Sequence, residues 1–171
     1  KRGRWILDNI LGEPPPDPPP GVPQLAEDRR AVQSGSLRER LEQHRADPNC
    51  AVCHRKMDAL GFAMENFDPV GAWRTKDGPF AIDASGELPD GERFAGPDEL
   101  KAVLLSSGRE SFTRCLTEKM LTYALGRGLE RYDRCATEAI AKNLSEHGYR
   151  LSALVLAIIR SDPFQKRGLD D

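Results

Sequence analysis

Apolar residues recur at helical spacing along most of the chain. Trp5, Ile6, Leu7, Ile10 and Leu11 predict a short helix over 3–12, with Gly12 as its stop. Ser36-Leu37-Arg38-Glu39 reads as a capping box, so a helix starts there and Asp47-Pro48-Asn49 ends it. A second short helix carries Cys50 to Arg55, and a helical turn is predicted at 62–67. Residues 79–95 alternate and contain Ser85-Gly86 and Asp90-Gly91, the signature of a small hairpin. Pro97-Asp98-Glu99 opens a helix to about Ser106. Longer helical patterns follow at 109–126, 133–146 and 150–161, punctuated by Gly126-Arg127-Gly128 and Gly148. The prediction is a mostly α-helical fold with a β-hairpin insertion.

Seven prolines fall within residues 13–23. Such a run makes neither a helix nor an interior strand and favours polyproline II. It reads as a semi-rigid spacer, or as a docking ligand for an aromatic groove. The chain therefore divides into an N-terminal helix and Pro-rich segment, 1–35, and a helical domain, 36–171.

Composition narrows the function. The 171 residues are 39% hydrophobic and 30% charged, which fits a globular protein. Twenty-five Lys and Arg against 27 Asp and Glu leave no basic excess for a nucleic-acid partner. No apolar run reaches the roughly 20 residues of a membrane helix, so this segment is not expected to insert into a membrane. Aromatic residues are only 6%, thin for a core of this size, which a large apolar cofactor would offset. The opening Lys1-Arg2-Gly3-Arg4-Trp5 has no initiator Met, so the chain reads as part of a longer protein.

The sharpest chemical signal is Cys50-Ala51-Val52-Cys53-His54. Two thiols one helical turn apart can each add across a haem vinyl group, and the adjoining imidazole can serve as the proximal iron ligand. A zinc site needs four ligands, and Cys115 and Cys135 stand alone. A thioredoxin-like pair belongs after a strand, and none is predicted before Cys50. A structural cysteine pair is the remaining alternative. The expected cofactor is one covalent haem c per chain.

The stretch Cys50-Ala-Val-Cys-His54-Arg-Lys-Met-Asp-Ala-Leu-Gly61-Phe-Ala-Met-Glu65-Asn-Phe-Asp68-Pro-Val-Gly71-Ala-Trp73-Arg74 resembles the C-terminal cytochrome c module of large planctomycete-type proteins, described as paired domains of unknown function. The opening Arg-Gly-Arg-Trp-Ile-Leu, the segment from Cys115 through Tyr123 and Gly126-Arg127 to Asp133, and Ser161-Asp162-Pro163-Phe164 carry the same resemblance. It implies a cytochrome c-like fold around covalent haem, a periplasmic or cell-surface location, and electron transfer to a redox partner protein or to other domains of the parent chain. The oxidising compartment it implies favours a Cys115–Cys135 disulfide, with two buried thiols as the alternative. The family usually has Pro where this chain has Ala59, near a backbone carbonyl that accepts from the proximal histidine.

The other candidates carry two readings each. Trp73 and Arg74 bind the haem propionates, or are a half-buried Trp and a solvated Arg. Arg127 has the same pair of readings. Tyr123, three residues after Met120, reaches a haem ligand or is simple core. Phe62, Phe67, Phe94, Leu116 and Leu121 line the haem or form ordinary core. His44 is expected to be solvated and His147 to cap a helix, with either as a lesser candidate for the second axial ligand. Among the methionines, Met57 and Met64 lie close to His54 in sequence, whereas Met120 comes from a separate helix and can approach the opposite haem face. Met120 is the expected sixth ligand, although the resembling family often carries Leu there. An electron carrier is thus expected. The alternative is a five-coordinate haem enzyme or sensor binding peroxide or another small ligand, and a third class is an interaction module docking through the Pro-rich segment.

Overall fold

The computed structural model describes residues 1–18, 20, 35–45 and 48–166. They form two units: Lys1–Asn9 with Glu13–Gly108, and Ile10–Gly12 with Arg109–Asp171. The sequence division at 35/36 falls inside the first. Residues 13–18 form neither helix nor strand, and most of the remaining proline run lies outside the described residues.

Helix α1 (Arg2–Ile6) of the first unit runs into a π-helical turn at Leu7–Leu11, whose last residues, Ile10 and Leu11, group with the second unit. Gly12 then stops the helix at φ +65°, a conformation that suits glycine. Helix α2 (Leu37–His44) starts as its sequence dictates: the Glu39 amide donates to Ser36 Oγ at 3.2 Å, and the Ser36 amide donates to Glu39 Oε2 at 2.7 Å. Helix α3 (Pro48–Ala63) runs on past the predicted end at Arg55, and Gly61 lies within it. Gly3 of α1 lies so close to α3 that a Cβ on it would fall 1.7 Å from the Met57 carbonyl oxygen. Gly61 faces the same crossing, where its own Cβ would stand 3.4 Å from the Gly3 nitrogen.

The turn after α3 is held by charge. Arg2 donates to the Met64 carbonyl at 3.0 Å and the Phe67 carbonyl at 2.5 Å, and pairs with Glu65 at 3.3 Å. Arg74 donates to the other Glu65 oxygen at 2.5 Å and to Asp77 at 2.6 Å. Glu65 is buried, and that burial pushes its carboxyl above the usual range against the pull of Arg2 and Arg74. Asp68 Oδ1 accepts from the Val70 and Ala72 amides, closing the Asp68–Ala72 loop.

Instead of one hairpin there are two small antiparallel sheets: β1 (Lys76–Asp77) with β2 (Phe80–Ala81), and β3 (Ser85–Glu87) with β4 (Arg93–Ala95). Leu88 to Gly91 makes the turn of the second, which matches the Asp90-Gly91 signal. Arg38 of α2 pairs with Asp83 at 3.1 Å, donates to the Asp83 and Ser85 carbonyls, and lies 4.1 Å over the Phe62 ring. It thereby ties α2, α3 and the β3 segment together. Helix α4 (Gly96–Ser106), with Pro97 in its first turn, completes this unit.

The second unit packs α5 (Arg109–Leu125), α6 (Arg134–Glu146), α7 (Leu151–Arg160) and the short α8 (Asp162–Gln165). Its core is Leu121, Ile140, Leu144, Leu154 and Ile158. The turn between α5 and α6 is built on Asp133, which is fully buried. Arg127 grips it with two nitrogens at 2.7 and 3.1 Å, and the Glu130 amide donates to it at 2.8 Å. These donors, Arg127 first, hold the Asp133 carboxyl below the usual 3.8 although burial opposes them. The anion is favoured in the fold, so this stability is complete above that value and is lost as pH falls through the lower folded value. We expect Asp133→Asn to flatten the acid limb of the melting temperature against pH; parallel limbs for the two proteins would refute it.

Candidate haem-attachment site

Helix α3 displays the motif on one turn. Cys50, Cys53 and His54 are each partly exposed, while Val52 between the thiols points to solvent at 80% exposure. No disulfide joins Cys50 to Cys53. A helix at this point places the two sulfurs one turn apart with the imidazole beside them.

His54 Nδ1 lies 3.0 Å from Asp58 Oδ1, one turn further along the same helix. A carboxylate accepts, so Nδ1 donates in this pair, the arrangement in which a metal-ligating histidine uses its other ring nitrogen. Asp58 is buried at 6% exposure, and its Oδ2 makes no hydrogen bond among the described residues. Arg45 approaches that oxygen with Nε at 3.7 Å. The acceptor for the histidine is therefore a side-chain carboxylate on the same helix, with Ala59 buried next to it. A cleft of about 400 Å³ opens alongside, with Arg38, Arg45, Arg55, Ala59, Phe62 and Leu88 in its wall.

These residues fit a covalently attached haem. The thiols are unbridged and within reach of solvent, and the imidazole is anchored through Nδ1 by a buried carboxyl group. Among the described residues no three Cys, His, Asp or Glu side chains gather as a metal cage.

The remaining candidates are spread over both units. In the first, Trp73 is 59% exposed and meets Phe67 edge-on at 5.2 Å, while Arg74 is held by Glu65 and Asp77. Phe62 and Phe94 are buried there. Met57 and Met64 are partly buried, one within α3 and the other just past its end. In the second unit, Met120 and Leu116 pack against the core cluster that contains Leu121. Tyr123 is 86% exposed, so the simple-core reading of that residue is corrected: three residues along α5 from Met120, it has turned out to solvent. Arg127 is neither loose nor merely solvated, because Asp133 binds it through two nitrogens. His147 caps α6 as expected, with Nδ1 2.8 Å from the Asn143 carbonyl. The His44 side chain lies outside the described residues.

The Cys115–Cys135 bridge does not form. Cys115 is buried on α5, where a Cβ on Gly12 would come within 3.1 Å of its own Cβ, whereas Cys135 lies exposed in the first turn of α6.

Sequence reasoning missed Asp58 and Arg45. The spacing of Asp58, four residues after His54 on a helix, was a usable signal. Arg45 had none, since it arrives from another helix end.

No helix among the described residues is long and apolar enough to cross a membrane. Searches of curated proteins and of solved structures give no match. Two family models do match: residues 1–77 match "Protein of unknown function (DUF1588)", and residues 90–164 match "Protein of unknown function (DUF1585)". Along these two successive segments the chain is similar to the paired C-terminal domains that accompany cytochrome c-type modules in planctomycete-type proteins.

Proposed function

We propose that the chain is a mono-haem c-type cytochrome module that carries electrons for a larger exported protein. The observation that carries this reading is the unbridged Cys50-x-x-Cys53-His54 turn on α3, with the His54 tautomer set by Asp58. Haem, when bound, supplies the one-electron couple. Cys50 and Cys53 would supply the two thioether sulfurs, and His54 would hold the iron through a ring nitrogen. Asp58 keeps the proton on Nδ1 and holds the ring against rotation. Trp73 and Arg74 would be further haem contacts from the same unit as His54, whereas Met120, Tyr123 and Arg127 belong to the second unit. Covalent attachment and the associated families support an exported location, because such thioethers are made outside the cytoplasm.

The test is extraction. Protein matured by a haem-attachment system and treated with acid–acetone is expected to keep its colour, because thioether bonds survive what removes non-covalent haem. Colour passing into the organic phase would overturn the attachment. The ferric spectrum then separates the two functions. A low-spin form indifferent to cyanide supports electron transfer, and a high-spin form that binds cyanide readily supports the peroxide-binding alternative.

A further inference from the structure

We propose that Asp58 and Arg45 are a positioning pair of opposite sign that sets the electron affinity of the iron held by His54, an inference that rests on the haem reading above. Asp58 is 6% exposed, and its Oδ1 accepts from His54 Nδ1 at 3.0 Å. Its Oδ2 is buried without a hydrogen bond among the described residues, and the nearest cation is Arg45 Nε at 3.7 Å. Arg45 is itself shared, since its Nη2 lies 3.5 Å from Glu42.

A neutral carbonyl in this position would polarise the imidazole through a dipole. Asp58 does so with a full negative charge, which makes His54 a stronger donor. The ferric state carries one more positive charge than the ferrous state. A buried anion behind the ligand therefore favours the ferric state and lowers the reduction potential. Arg45 acts in the other direction, because it withdraws part of that negative charge. At 3.7 Å it sits beyond hydrogen-bonding distance and acts on the carboxylate by charge alone.

The two side chains must therefore move the potential in opposite directions when changed. Damage to packing alone has no reason to do so. Asp58→Asn keeps an oxygen for His54 Nδ1 and removes the charge, whereas Arg45→Met removes the cation and keeps much of the aliphatic stem.

The experiment is potentiometric titration of the haem-loaded chain as wild type, Asp58→Asn, Asp58→Glu and Arg45→Met. Asp58→Asn is expected to shift the reduction equilibrium about tenfold toward ferrous, about 59 mV upward for a one-electron couple. Arg45→Met is expected to shift it the other way, and Asp58→Glu to stay near wild type. The iron–histidine stretch in the resonance Raman spectrum of the reduced protein should fall in Asp58→Asn, and a purely structural role would leave it in place. Equal potentials in all four proteins, or shifts of the same sign at positions 45 and 58, overturn the pair. If Asp58→Asn does not fold, Arg45→Met decides alone: a lowered potential supports the pair, and an unchanged one refutes it. A wild type that loses its haem to acid–acetone overturns the haem reading itself, which a loaded wild type indifferent to position 58 does not.

Discussion

Replacing both Cys50 and Cys53 with Ala is expected to give a chain that is made but loses its haem during purification. With no thioether, His54 alone holds the group through one reversible bond. Single variants keep one thioether each and are expected to retain colour with a shifted reduced spectrum. The double variant should also melt lower. The thioethers hold haem at a high effective concentration beside His54, so its contacts with the folded chain are kept in the wild type and lost with the haem in the double variant. The measurement is thermal unfolding followed by circular dichroism, with haem content read in the same samples. Equal melting temperatures with full haem in the wild type would show that the cofactor adds nothing to the fold.

The second large effect is expected at Gly3. A Cβ there would lie 1.7 Å from the Met57 carbonyl oxygen and 2.7 Å from its carbon, both backbone atoms that cannot swing aside. Gly3→Ala must push α1 away from α3, or bend one of them. Overpacking of this kind costs roughly 1–3 kcal/mol, and a clash with backbone belongs at the upper end. The displacement would also loosen Arg2, whose guanidinium holds the Met64 and Phe67 carbonyls and pairs with Glu65. The variant should therefore unfold at lower denaturant and lose protection of the backbone amides over residues 64–74. Gly61→Ala is the comparison, because its Cβ would meet the Gly3 nitrogen at 3.4 Å, an ordinary contact. A Gly3→Ala variant as stable as Gly61→Ala would refute the crossing.

The sequence was most legible where its signals act over a few residues. The Ser36 capping box, the stop at Gly12, Pro97 in the first turn of α4 and the His147 cap each involve partners within one helical turn, and each is in place. The attachment motif belongs to the same class, because its chemistry is written into five consecutive residues. The same locality explains what went unseen. Helix α3 runs past Arg55 to Ala63, and Gly61 within it packs against Gly3, about 58 residues earlier in the chain. Arg74 and Arg127 looked available for propionates because a guanidinium advertises its charge in sequence but not its partner. Only the fold brings Glu65, Asp77 and Asp133 to them. The Cys115–Cys135 pairing failed for a related reason: a disulfide needs both Cβ vectors to converge, and the phase of two helices across a turn is set by their packed faces. Asp58 stands between the two classes. Its spacing from His54 is local and readable, but its burial and its approach to Arg45 are tertiary, and these turn an acidic residue on a helix into a buried carboxyl group between His54 and Arg45.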